Sequence, residues 1–154
     1  MKYSQRLLVL LMLTALLLSV CFLASAEEKN LLFNGSFEEI GPDGMPEDWF
    51  TDAYHQQPGV SRYGLVEDPD EEFSFVAQIQ NTSLNDARFA QIVNVEPETL
   101  YCLSGYIWAE DISGGHGANF SIEDVYTFSE QIYDTDGAWE YVEFHLRYFI
   151  WFGK

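Results

Sequence analysis

The chain reads as an all-β protein, an antiparallel β-sandwich. Three observations predict it. Short apolar segments alternate with a period of two, the spacing of a half-buried strand. Turn signals rich in Gly, Pro, Asn and Asp separate these segments at regular intervals. No long segment beyond residue 26 carries a helical period. About eight short strands punctuated in this way indicate a sandwich.

The first 26 residues stand apart from that pattern. Lys2 and Arg6 provide a positive start, and residues 7–23 form an apolar run without a charge. Ala24-Ser25-Ala26 is a small-x-small cleavage site, and Glu27-Glu28 open an acidic chain. This is the pattern of a secretory signal peptide. An uncleaved anchor is the alternative, since the run approaches spanning length. A lipoprotein signal would use Cys21. Val20 is too bulky for the position before a lipidated cysteine, and apolar residues continue past Cys21. Residues 27–154 are therefore expected to form one secreted domain, free or at the cell surface.

Residues 30–49 come next. Leu31, Leu32 and Phe33 predict a short strand, which Asn34-Gly35 breaks. Pro42, Gly44 and Pro46 exclude a helix and mark a loop that delivers Trp49 to the next strand. Strands are expected over 49–54, 60–66 and 73–80, with an acidic loop at 67–72 between the last two. In 73–80, Phe73, Phe75, Ala77 and Ile79 share one face, and Gln78 and Gln80 lie on the other. Phe89, Gln91, Val93 and Val95 share a face of the following strand, which Pro97 stops. In 101–109, Tyr101, Leu103, Gly105, Ile107 and Ala109 point one way. Cys102, Ser104, Tyr106 and Trp108 point the other. Glycines at 114, 115 and 117 mark a loop. Strands are expected at 118–123, 125–133 and 139–149, the last two joined by the turn Asp134-Thr135-Asp136-Gly137.

These segments resemble a known group. Asn30-Leu31-Leu32, Asn34, Phe37-Glu38, Pro46 and Trp49 match the opening of secreted carbohydrate-binding modules of the galactose-binding-like jelly-roll type, notably the family 4 and 9 group. Residues 91–104 and 134–139 resemble the central strands and the late tryptophan strand of the same group, in the expected order. The resemblance spans about residues 30–149 and implies a jelly roll that binds polysaccharide or oligosaccharide without catalysis. It also implies a structural calcium ion near the start of the domain, at Glu38 with help from Glu39. One departure stands out. Such modules usually close with a further Asp-bearing strand, and this chain carries Phe152-Gly153-Lys154 instead. An interrupted module is the expectation, prone to self-association through the aromatic run at 148–152.

Sugars are held by aromatic faces against C–H surfaces, with amides, carboxylates and guanidinium groups taking the hydroxyls. Tyr106 and Trp108 are the expected stacking pair. Arg88, from a neighbouring strand, and Gln78 and Gln80 are the expected polar partners. Trp49 and Trp139 sit at strand entries and read as structural, and Gln91, among core-facing residues, reads as a buried hydrogen-bonding group.

Charge narrows the partners. The chain has 25 acidic and 7 basic residues and a formal charge of −18. Two of the seven cations, Lys2 and Arg6, leave with the signal. So acidic a chain is unsuited to phosphate backbones or anionic lipid, and no nucleic acid or membrane partner is expected after signal cleavage. Cys102 is the sole cysteine beyond the signal, so no intrachain disulfide is possible. His55, His116 and His145 have no zinc spacing. There is no Gly-x-Ser-x-Gly elbow, phosphate loop or Cys/His nucleophile pattern. The chain is therefore read as non-enzymatic. The alternatives are an adhesion or structural sandwich that binds protein, and a detached front module of a glycoside hydrolase.

Overall fold

A computed structural model describes residues 29–68, 70, 74–123 and 125–147. The chain divides into two units, Met1–Asn30 and Leu31–Lys154, and the account below concerns the second.

The described residues form an all-β architecture without a helix. Eight strands run in order: β1 Phe50–Ala53, β2 Ser61–Glu67, β3 Phe75–Asn81, β4 Ala87–Ala90, β5 Leu100–Ile107, β6 Ser121–Ile122, β7 Thr127–Phe128 and β8 Glu140–Arg147. They pair antiparallel as β1–β4, β2–β3, β5–β8 and β6–β7. Two of these ladders, β2–β3 and β6–β7, join strands adjacent in sequence, as hairpins do. The other two bring together strands far apart in the chain, as a sandwich requires.

The alternation read from the sequence is what orients β5. Tyr101, Leu103 and Gly105 are half-buried and Ile107 is buried, whereas Cys102, Ser104 and Tyr106 are exposed. Val142 of β8 lies opposite Gly105 and is only 1 % exposed. Ile107, Ala109, Ile132 and Val142 form the buried cluster, with Ile112, Ala118 and Phe120 packed against it. Gly105 is required here by close approach. A Cβ at this position would sit 3.0 Å from the Phe120 ring.

A second cluster is aromatic. The Phe37 ring lies 4.9 Å from that of Trp49 and 6.3 Å from that of Phe89, and Tyr63 meets Phe89 edge-on at 5.6 Å. Such tilted pairs favour the ring quadrupoles and add to area burial. They hold Phe37 in a left-handed backbone conformation, φ 63°, which is unusual for a bulky residue.

Three segments depart from expectation. Residues 31–33 are not a strand. They are fixed by side chains, since the Gln91 Oε1 accepts the Phe33 N–H at 2.9 Å and its Nε2 donates to the Phe33 carbonyl at 2.9 Å. The strand expected over 89–95 ends at Ala90, although Phe89, Gln91 and Val93 remain half-buried and Ile92 is 85 % exposed. The long strands expected at 118–123 and 125–133 contract to β6 and β7 plus an Ala118–Ile132 bridge. The pairing register shifts between the bridge and the ladder, which marks a bulge. Ser129 fills it. Its Oγ accepts the Phe120 N–H at 3.0 Å and donates to the Glu130 carbonyl at 2.9 Å.

Phe73, the expected C-terminal aromatic run at 148–152 and the signal peptide lie outside the described residues.

Candidate functional site

The outward face of β5–β8 gathers a row of exposed chemistry-bearing side chains. Register places Tyr106 opposite Tyr141, Ser104 opposite Glu143 and Cys102 opposite His145. All six residues are exposed. The Tyr106 and Tyr141 rings lie 5.3 Å apart at 59°, and they are 59 % and 50 % exposed. Cross-strand aromatic pairs of this kind stabilise a ladder while leaving ring surface open.

The polar groups of the face are already organised. The Tyr141 hydroxyl donates to Glu143 Oε2 at 2.8 Å. Its pKa is pulled in both directions. The Ser104 hydroxyl lowers it, but the bond to Glu143, desolvation, and the charges of Glu143 and Cys102 together raise it above the usual tyrosine value. The phenol is therefore neutral and points its proton at the carboxylate throughout the physiological range. Cys102 is a free, exposed thiol.

The structure distributes the expected site residues unevenly. Tyr106 stands on this face as expected. Trp108 lies just past the end of β5 and is half-buried. Its ring meets Trp139 edge-on at 5.5 Å, and its Nε1 donates to Glu110 Oε1 at 2.9 Å. Trp139 in turn donates to the buried Asp68 Oδ1 at 3.2 Å. Trp108 is thus tied into a structural pair at the edge of the face. Arg88 is not on a strand next to β5, because β4 pairs with β1 and β5 with β8. Arg88 faces Asp52 across its own ladder and forms a 2.9 Å ion pair with it, with Glu123 at 4.0 Å. Gln78 and Gln80 are exposed on β3, opposite Gly64 and Arg62. The five expected residues therefore divide between three ladders and a strand end.

Tyr141, Glu143 and His145 were missed by sequence reading. Their alternation with Val142, Phe144 and Leu146 was visible, but selecting them required knowing that β8 is the partner of β5.

Glu38 takes a mechanical post. Its Oε1 accepts the Ser74 N–H at 2.8 Å and the Phe75 N–H at 3.2 Å. These bonds, Phe75 first, lower its pKa below the usual carboxylate value. Glu39 is exposed, and its backbone is bound by the Asn34 side chain. Asn34 Oδ1 accepts the Glu39 N–H at 3.0 Å, and Asn34 Nδ2 donates to the Glu39 carbonyl at 2.7 Å. Among the described residues, no three His, Cys, Asp or Glu side chains come together as a metal site.

Family models, curated proteins and solved structures offer no match to this chain.

Proposed function

We propose that this chain is a secreted, non-catalytic carbohydrate-binding module of jelly-roll type, whose ligand is a polysaccharide or oligosaccharide stacked on the β5–β8 face. The observation that carries the reading is the Tyr106–Tyr141 pair. Two exposed rings meet across the ladder, with the Ser104 hydroxyl and the Glu143 carboxylate at the next outward pair and the His145 imidazole one outward pair further along. A pyranose presents an apolar C–H face and a rim of hydroxyls, and this surface offers partners for both. Residues 27–154 constitute the module in this reading, and the export signal of residues 1–26 delivers it outside the cell or to its surface.

The resemblance at residues 30–49 adds a calcium ion at Glu38 and Glu39. Calcium takes six to eight oxygen ligands, and Glu38 Oε1 already holds two backbone N–H groups. The ion in this reading is held weakly. Self-association through residues 148–152 remains part of the proposal.

A glycan array, followed by titration of the best ligand against Tyr141→Ala, tests the reading. Binding to a soluble β-glucan, xylan or related chain, lost in Tyr141→Ala, supports it. An array without a hit, together with capture of a protein partner, favours an adhesion sandwich.

A further inference from the structure

The ladder of β4 with β1 stops at Ala90, but the strand pattern of the sequence runs on. Burial still alternates beyond it, with Gln91 and Val93 half-buried and Ile92 and Asn94 exposed. Among the described residues, the backbone N–H and carbonyl groups of Ile92, Val93, Asn94 and Val95 make no hydrogen bond. A turn at Pro97 and Glu98, the latter at φ 58°, then leads the chain into β5. Residues 92–95 therefore have the pattern of a strand and lack a strand partner. Such an open edge is a template for pairing with another chain.

A groove of about 470 Å³ adjoins this edge, lined by Leu31, Phe33, Asp48, Phe50, Ile92 and Val93 among others. Its apolar side chains are open to water: Phe33 and Phe50 are 47 % and 48 % exposed, and Ile92 is 85 % exposed. Its sides are tied together by one carboxamide. Gln91 bonds the Phe33 N–H and carbonyl at 2.9 Å each and reaches the Asp48 carbonyl at 3.3 Å. A groove held in this way needs little ordering when a partner arrives.

Charge and symmetry select the occupant. With 25 acidic and 7 basic residues, one copy of this chain repels another. A second copy therefore docks only where acid is sparse, and Asp48 is the sole charged residue lining the groove. A basic partner would gain little from a single carboxylate. All four ladders of the fold are antiparallel. An edge paired antiparallel with its own copy is self-complementary, and a two-fold axis closes the assembly at two chains. An even register centred on Val93 keeps Ile92 and Asn94 of both copies on one face.

We infer that residues 92–95 pair antiparallel with the same residues of a second copy, burying Ile92 and the apolar groove of each chain in a two-fold dimer. The inference rests neither on the β5–β8 reading nor on residues 148–152.

Sedimentation analysis of the purified protein, from micromolar to millimolar concentration, tests it beside deuterium exchange. A monomer–dimer equilibrium that tightens as salt is added, with exchange at 92–95 slowed in the dimer, is the expected result. Ile92→Glu should weaken the dimer about tenfold or more, the scale of a buried apolar anchor. Ile92→Thr, which keeps a β-branched side chain, should weaken it about threefold. Neither substitution should lower the melting temperature, since Ile92 is exposed in the monomer. Trp151→Ser should leave the dimer intact. A monomer at every concentration overturns the inference, as do open-ended oligomers, a dimer that salt weakens and a dimer that survives Ile92→Glu. A dimer lost in Trp151→Ser and retained in Ile92→Glu also overturns it, and assigns association to residues 148–152.

Discussion

The Gln91 side chain bonds both the N–H and the carbonyl of Phe33, each at 2.9 Å. A single carboxamide thus does what a neighbouring strand would do for that residue. It anchors residues 31–33 without a ladder, and Gln91 Nε2 also reaches the Asp48 carbonyl at 3.3 Å. Removing it leaves these exposed backbone groups to water. Gln91→Ala is expected to cost about 0.5–1.5 kcal/mol, the net worth of an ordinary hydrogen bond, measured by denaturant unfolding. Enhanced amide exchange should be confined to residues near 31–34.

The two rings of the β5–β8 face and Trp108 should separate function from stability. Tyr141→Ala is expected to abolish most sugar binding with a stability loss of about 1 kcal/mol or less, the scale of a cross-strand pair. Trp108→Ala removes a half-buried ring from Trp139 and is expected to cost about 2–4 kcal/mol, with binding reduced in proportion to unfolding. Thermal melts beside titrations distinguish the two outcomes.

Glu38 makes its contact with the start of β3 sensitive to acid. The charged carboxylate is the form bonded to Ser74 and Phe75, and its pKa is lowered. Its contribution is therefore complete above the usual carboxylate value near 4.5 and is lost as pH falls through the lowered native value. Glu38→Gln should flatten the decline of melting temperature below about pH 4.5, while Glu38→Ala should lower it at neutral pH as well.

Gly117 adopts φ +64°, and a Cβ there would lie 2.6 Å from the Ile132 carbonyl oxygen. Ala118 and Ile132 exchange backbone hydrogen bonds of 2.7 and 2.9 Å beside it. Gly117→Ala is expected to destabilise by about 1–3 kcal/mol through backbone strain and displacement of that bridge. A denaturant melt measures this, and Gly137→Ala, at a similar φ but in open space, is the milder control.

Calcium should change little. With Glu38 Oε1 held by backbone, saturating millimolar calcium is expected to raise the melting temperature only slightly over chelator. A large shift at micromolar calcium would assign the ion a stronger site than Glu38 and Glu39 offer.

Most of the strand inventory was legible because burial on one face imposes a period of two on the side chains. The inward set on β5 and the outward Cys102, Ser104 and Tyr106 were readable from that period alone. Regular extension beyond Ala90 and over 118–133 was not, because ladders need partners. Gln91 and Ser129 supply side-chain hydrogen bonds where alternation suggested continuous strand.

The sequence by itself determined the all-β class, the turn positions, the acidic character and the structural roles of Trp49, Trp139 and Gln91. Each follows from local conformational preference, composition or the alternation of apolar residues along one segment. Only the tertiary structure decided which strands lie side by side. That choice placed Tyr141 rather than Trp108 beside Tyr106 and paired Arg88 with Asp52. Strand partnership is a long-range property, set by how separate segments bury their inward faces together, and no single segment carries it.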